Sequence, residues 1–457
     1  MSLPGAGAIA ALLAGALIVI AALVVVMRRH SEALPLLAVF AAPFRLPIAA
    51  DGRTVNLLIP LYLVVAAGTI AFLLPRWLAG ASAEWGEHEQ RPSLSSPASW
   101  ATPRGLQWLL FASIGLYALQ ATYSADRVKA LENIAFFYLP FALLFLLLRD
   151  VRWTRELLLR CVAVAVALAV VFAGVGFVEY YRKTLFLNPK VVAANEYDNY
   201  FRVNSLFFDP SIYGRFLALV MIMVSTIVLW TRRRRDVLIG AALLAWLLAG
   251  LVTSFSQSSI AALLLGLAVL AALRWSVRAT IWVSAGALAV AVAVLLLAPA
   301  SLHFGLKGSG GSTSNATSGR GTLISGGLEL FAERPLEGYG SGSFETEYKR
   351  HSNATAENAT SASHTIPVTV AAEQGIVGLA LYVALLLSAF VVLFRGVGRS
   401  PPRIAVAACF AALVLHTWTY ADFLEDPFTW ILLALGVALA RQNGRAAARG
   451  AVLPPSP

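Results

Sequence analysis

Charge is scarce in this sequence. Asp, Glu, Lys and Arg make up 13% of its 457 residues, where soluble globular domains carry roughly 25%. Hydrophobic residues make up 59% and fall in repeated continuous runs of about 20, the length that crosses a bilayer as a helix. That excludes a soluble globular chain. It also excludes a membrane β-barrel, whose short strands alternate apolar and polar residues. Cysteine is nearly absent, and both Cys161 and Cys409 lie inside apolar runs. Neither a disulfide framework nor a thiolate metal site is expected. No phosphate-binding loop occurs, and no glycine-rich dinucleotide fingerprint follows a strand, so a nucleotide site is excluded as well. The first apolar run is full-length and leads into Arg28-Arg29-His30, a stop-like flank and not a cleavable leader.

What remains is a polytopic helical membrane protein, all-α, with about 13 apolar segments and 12 to 14 spans. The segments run approximately over 8–27, 33–49, 55–74, 105–122, 130–148, 157–178, 211–231, 237–253, 259–273, 279–300, 371–394, 404–421 and 427–440. The second is short and holds Arg45 and three prolines, which suits a broken or re-entrant helix. Cations decide the orientation. Of the 35 Lys and Arg residues, 21 fall in alternate linkers with only 7 acids, a balance of +14, and the opposite side carries −3. Cytoplasmic loops collect Lys and Arg, so the Arg-rich side is expected inside. The net charge of +11 is therefore a topology signal, and no nucleic-acid partner is expected. Polar loops 179–210 and 301–370 then lie outside.

The chain is expected to divide into an N-terminal helix bundle (1–300), a structured extracytoplasmic loop (301–370), and C-terminal helices with a cytoplasmic tail (371–457). The loop opens with the Gly/Ser/Thr-rich stretch Gly308 to Gly321, which carries one cation, Arg320. An amphipathic helix is expected over Thr322 to Glu333, with Ile324, Leu328 and Phe331 on one face. Pro335 stops it, Gly338 to Gly342 make a turn, and a polar run leads to His364.

Three groups on this side could carry chemistry. Arg202, Asp209, Tyr213 and Arg215 stand where a polar loop enters a spanning helix, Arg320 precedes the amphipathic helix, and His364 precedes the next span. Interfacial snorkelling, or ion pairing with Asp209, accounts equally for Arg202 and Arg215. A solvated charge accounts for Arg320, and an incidental imidazole for His364. His416, inside an apolar run, reads as a packed core histidine. No His or carboxylate cluster has metal-ligand spacing, so no metal is expected.

The wording of four segments resembles the O-antigen ligase/polymerase family of bacterial membrane glycosyltransferases. They are RVNSLFFDPSIYG (Arg202 to Gly214), SFSQSSIAA (Ser254 to Ala262), GRGTLISGGLELFAERPLEGYGSGSF (Gly319 to Phe344) and SHTIPVTVAAEQGIVG (Ser363 to Gly378). The family usually has Asn where this chain has Thr365, and often an arginine in the Ser-rich block where this chain has Gln257-Ser258-Ser259. The resemblance implies a multi-pass protein of the bacterial cytoplasmic membrane with its site on the periplasmic side. It implies transfer of a glycan from an undecaprenyl-diphosphate donor to a hydroxyl on another lipid-linked unit, on lipid A core or on a protein. It implies no cofactor, and membrane lipids as surroundings. Guanidinium groups suit the leaving diphosphate, because a planar fork matches phosphate oxygens and stays charged. That assigns Arg202 and Arg320, with Arg215 as a weaker third. Asp209, Tyr213, Tyr339 and Glu373 are candidates for holding diphosphate or acceptor. His364, with an unperturbed pKa of about 6.5, suits a base for the acceptor hydroxyl. The rival class is a secondary transporter, which would show internal repeats and midplane charges. No clear repeat is present.

Overall fold

The computed structural model describes residues 6–50, 53–80, 99–187, 201–286, 320–352, 363, 365–398 and 400–452. In chain order the helices are α1 (Ala6–Arg29), α2 (Ala33–Ala41), α3 (Ile59–Leu78), α4 (Pro103–Ala121), α5 (Arg127–Arg149), α6 (Arg155–Arg182), α7 (Pro210–Trp230), α8 (Arg234–Thr253) and α9 (Gln257–Arg274). Then come α10 (277–286), α11 (Arg320–Glu333), α12 (Phe344–Ser352), α13 (Ile366–Phe394), α14 (Pro401–Thr419) and α15 (Pro427–Val452). Among the described residues nine of these are long and apolar enough to cross a membrane, namely α1, α3, α5 to α9, α13 and α14. The protein is a polytopic helical membrane protein, as the apolar runs require.

Two expected segments fare differently. Segment 33–49 is helical only to Ala41; Pro43 follows, and Leu46–Ala50 pairs antiparallel with Arg53–Leu57 in a short hairpin. Proline cannot donate to the helical ladder, so the break falls where the chain supplies one. This hairpin is the one departure from an all-helical chain among the described residues. Segment 279–300 is helical to 286 and otherwise lies outside the described residues. Helices α4 and α15 stand at the expected segments 105–122 and 427–440.

Helix starts are written locally. Thr102, Asp126, Thr154, Asp209 and Ser256 each accept a first-turn backbone N–H, and Pro103 and Pro210 take the position whose own N–H has no intrahelical partner. Three of the Arg-rich linkers meet: Arg160 pairs with Glu32 at 2.7 Å and Arg76 with Asp150 at 3.1 Å. Helix α7 runs through the centre, with almost every side chain from Pro210 to Thr226 buried. Beneath its Arg-poor end the rings of Phe44, Phe207 and Phe216 close on Phe172 at 5.2–5.8 Å.

The amphipathic helix forms as α11, but its buried face differs from the expected one. Leu323, Gly327 and Leu330 face inward, and Leu328 is 50% exposed. Glycines set this rotation. A Cβ on Gly327 would lie 2.6 Å from Val368 Cγ1, and one on Gly326 would lie 2.5 Å from Tyr348 Cε2. A hydropathy pattern gives glycine no weight, so it cannot see a face made by close backbone approach. Leu323 and Leu330 of α11, Phe344 and Tyr348 of α12, Ala372 of α13, and Tyr339 form a small separate core.

Candidate active site on the Arg-poor face

The four segments that carry the resemblance meet in two pairs. In the first pair, the loop before α7 lies on the α8–α9 corner. Val203 N donates to Thr253 O (3.2 Å) and Arg202 Nε to Ser254 O (3.3 Å). Ser259 Oγ donates to Ser211 O (3.1 Å), and Gly214 leaves room for Ser259, whose Oγ would stand 2.7 Å from an added Cβ. Asp209 caps α7 through Ser211 N (2.6 Å). Glu179, fully buried at the end of α6, fixes the loop by accepting from Ser205 N (2.7 Å) and Phe186 N (3.0 Å).

The Ser-rich block faces His416. Its Nε2 lies 3.1 Å from Ser259 Oγ and 3.4 Å from Ser258 Oγ, and the ring is completely buried. The packed histidine read from the sequence is thus also a polar partner of this block. Tyr213 is buried, and its hydroxyl has no hydrogen-bond partner among the described residues.

In the second pair, the glycine turn locks onto the start of α13. Tyr339 N donates to Ala372 O (3.2 Å), Gly340 N to Glu373 O (2.8 Å) and Ile376 N to Pro335 O (2.7 Å). Gly338 (φ 69°) and Gly375 (φ 64°) make the crossing: an added Cβ would lie 2.3 Å from Glu373 O in one case and 2.2 Å from Leu336 O in the other. Both space and the left-handed backbone require glycine. The buried carboxylate of Glu373 accepts from Gly342 N (2.9 Å) and Phe344 N (3.0 Å), holding the turn and the first turn of α12. Tyr339 bonds to Glu333 and lies under the Arg334 guanidinium, 4.5 Å from the ring centroid. Burial, then Glu333, pushes its phenol up to about 12, and the same hydrogen bond holds the Glu333 carboxyl below its usual range.

The α4–α5 corner and the loop after α14 join the two pairs. Ser124 Oγ donates to Ser341 O (2.7 Å), Ser341 Oγ to Tyr117 O (3.0 Å) and Gln120 Nε2 to Glu337 O and Gln374 O (3.3 Å each). From the other side Arg215 ion-pairs with Asp426, lies 4.0 Å from Asp422 and donates to Ala421 O (3.3 Å). Glu425 accepts from Asn133 Nδ2 at 3.0 Å. Burial, with Asp422 adding, pushes Glu425 up to about 7. Burial also raises Asp426, against the pull of Arg215.

Reading the sequence missed Asn133, Asp422, Glu425 and Asp426. Three acids within five residues, between two apolar runs on the Arg-poor side, were the available signal. Of the remaining candidates, Arg320 opens α11 by its backbone, and its side chain is outside the description. His364 lies outside the described residues. Its neighbours start α13, where Ser363 N donates to Thr369 Oγ1 (3.0 Å) and Ser363 Oγ to Thr365 O (2.7 Å).

Spanning helices with a polar, charge-bearing cluster gathered at one end make this a polytopic membrane protein with a candidate site on its Arg-poor face. Residues 242–383 match the family model described as O-Antigen ligase, which bears out the resemblance read from the sequence. The matched stretch encloses the second, third and fourth segments; the first lies outside it and packs on the second. No curated protein matches the chain.

Proposed function

We propose that this protein transfers a glycan from an undecaprenyl-diphosphate-linked donor to a hydroxyl acceptor at the extracytoplasmic face of the bacterial cytoplasmic membrane. The observation that carries this reading is the O-Antigen ligase match over residues 242–383, joined to the packing of all four resembling segments at one end of the bundle. A lipid-linked donor is already activated and reaches the site within the membrane, so the absence of a nucleotide motif in the sequence agrees with it.

In this reading the acceptor oxygen attacks the anomeric carbon in line, the bond from that carbon to the diphosphate oxygen breaks, and configuration inverts. The electron pair leaves on undecaprenyl diphosphate, whose developing charge Arg202 and Arg320 stabilise. The acceptor proton passes to His364. No step needs a metal or a cofactor. Arg202 can serve from the loop that its Ser254 contact holds in place. Arg215 and Glu373 act chiefly as positioning residues, the first through Asp426 and the second through the Gly342 and Phe344 amides. Asp209 shapes the donor or acceptor surface, and the buried Tyr213 and Tyr339 support it from beneath.

The test is transfer by purified protein in lipid nanodiscs, with undecaprenyl-diphosphate glycan as donor. Product should form in EDTA. Loss on chelation with recovery on Mg²⁺ or Mn²⁺ would overturn the arginine-based mechanism. In cells lacking the gene, accumulated single repeat units would mark a polymerase, and finished chains a ligase or protein transferase.

A further inference from the structure

Asn133 lies where the two halves of the site join. It is 3% exposed, and its Nδ2 donates both to Tyr117 Oη (2.9 Å) and to Glu425 Oε1 (3.0 Å). Both amide hydrogens are therefore used. Its Oδ1 is buried with no hydrogen-bond partner among the described residues. An acceptor left this way loses its solvation without return, so such atoms are rare unless something else supplies the hydrogen.

Glu425 beside it offers a second acceptor, and the residue is not fully buried. The loop that bears it is held rigidly. Asp426 is paired with Arg215 and accepts from Phe428 N (2.7 Å), and Thr429 Oγ1 donates to Phe423 O (2.6 Å). The aromatic rings of Tyr117 and Tyr138 meet edge to face next to Asn133, centroids 4.5 Å apart. Tyr117 also reaches the other half of the site: its hydroxyl would lie 3.3 Å from a Cβ on Gly342, the residue whose N–H Glu373 holds.

Two fixed acceptors beside aromatic rings call for a ligand that brings donors. A metal cation is disfavoured, since Lys129 and Arg45 already act on Glu425 and Arg215 holds Asp426. Neighbouring hydroxyls on one sugar ring supply two donors on an otherwise neutral body. We propose that Asn133 Oδ1 and the Glu425 carboxylate form a binding subsite for hydroxyl groups of the acceptor carbohydrate. This rests on the glycosyl-transfer reading and adds to it the residues that select the acceptor. It leaves the proton to His364 and the diphosphate to the arginines.

The test is steady-state transfer in nanodiscs from undecaprenyl-diphosphate glycan, with lipid A core and a lipid-linked repeat unit tried separately as acceptor. Glu425→Gln keeps size and removes charge; Asn133→Leu keeps approximate volume and removes the polar atoms. Each should raise the acceptor KM roughly 10- to 100-fold, as loss of a hydrogen bond involving a buried or charged acceptor does. The donor KM should stay within about twofold. A residue that only supports the fold would lower thermal stability without this split between substrates. If Asn133→Leu fails to fold, Glu425→Gln decides alone. An unchanged acceptor KM in a folded variant, or equal rises for donor and acceptor, would overturn the subsite and leave glycosyl transfer standing. Wild-type protein that transfers to neither acceptor, nor to a protein Ser or Thr hydroxyl, would overturn glycosyl transfer itself, and the subsite with it.

Discussion

Arg215 and Asp426 form an ion pair whose side chains are 2% and 1% exposed, linking the first turns of α7 to the loop that enters α15. A pair this deep recovers in mutual attraction what desolvation costs only while both partners are present. Arg215→Ala should destabilise the protein by about 3–5 kcal/mol, because a buried carboxylate is left alone. Arg215→Met combined with Asp426→Leu should recover most of that loss. Thermal unfolding in one detergent, with all three proteins compared, checks this. A double variant as unstable as the single one would show that the pair does more than hold charge against charge.

Glu425 gives a pH dependence of defined sign. Its carboxyl is pushed from 4.5 to about 7 by burial first and by Asp422 next, with Lys129 and Arg45 opposing. The folded value exceeds the unfolded one, so between these two values the folded protein binds more protons and stability falls as pH rises. The cost is absent below 4.5 and complete above about 7. Glu425→Gln should therefore raise the melting temperature at pH 8 and converge on wild type near pH 5. A gain that is equal or larger at pH 5 would contradict this. The same variant is expected to bind acceptor worse, a trade of stability against function.

The orientation is testable without any enzyme assay. Single cysteines at Ser312 and Ser352 should react with an impermeant maleimide in intact spheroplasts, and cysteines at Ser95 and Gly398 only after permeabilisation. The split of +14 against −3 between alternate linkers predicts this orientation. The reverse pattern would move the candidate site to the cytoplasm.

How much of this was legible in the sequence depends on which force set each feature. Spanning helices announce themselves, because a bilayer demands long apolar runs and their charged ends carry a side. The break after Ala41 was legible in its prolines. The face of α11 was not, because Gly326 and Gly327 bury backbone and carry no hydropathy. The junction of the two site halves was not legible either. Asn133 and Glu425 touch across 292 positions of chain, and neither stands in a segment that resembles the family. Glu373 was legible only as a candidate, and its contact with the Gly342 and Phe344 amides appears only once α13 and the glycine turn cross.

In the proposed mechanism fixed cations stabilise a leaving diphosphate while His364 takes the acceptor proton. The most direct measurement is single-turnover glycan transfer by Arg320→Lys, Arg320→Ala and His364→Gln, each confirmed folded and in the membrane. Arg320→Lys should fail nearly as badly as Arg320→Ala, since an ammonium cannot make the forked contact. His364→Gln should keep donor affinity and lose roughly 10²–10⁴ in rate, because an amide orients a hydroxyl but cannot take its proton. Full activity in Arg320→Ala, or wild-type rates in His364→Gln, would contradict the account.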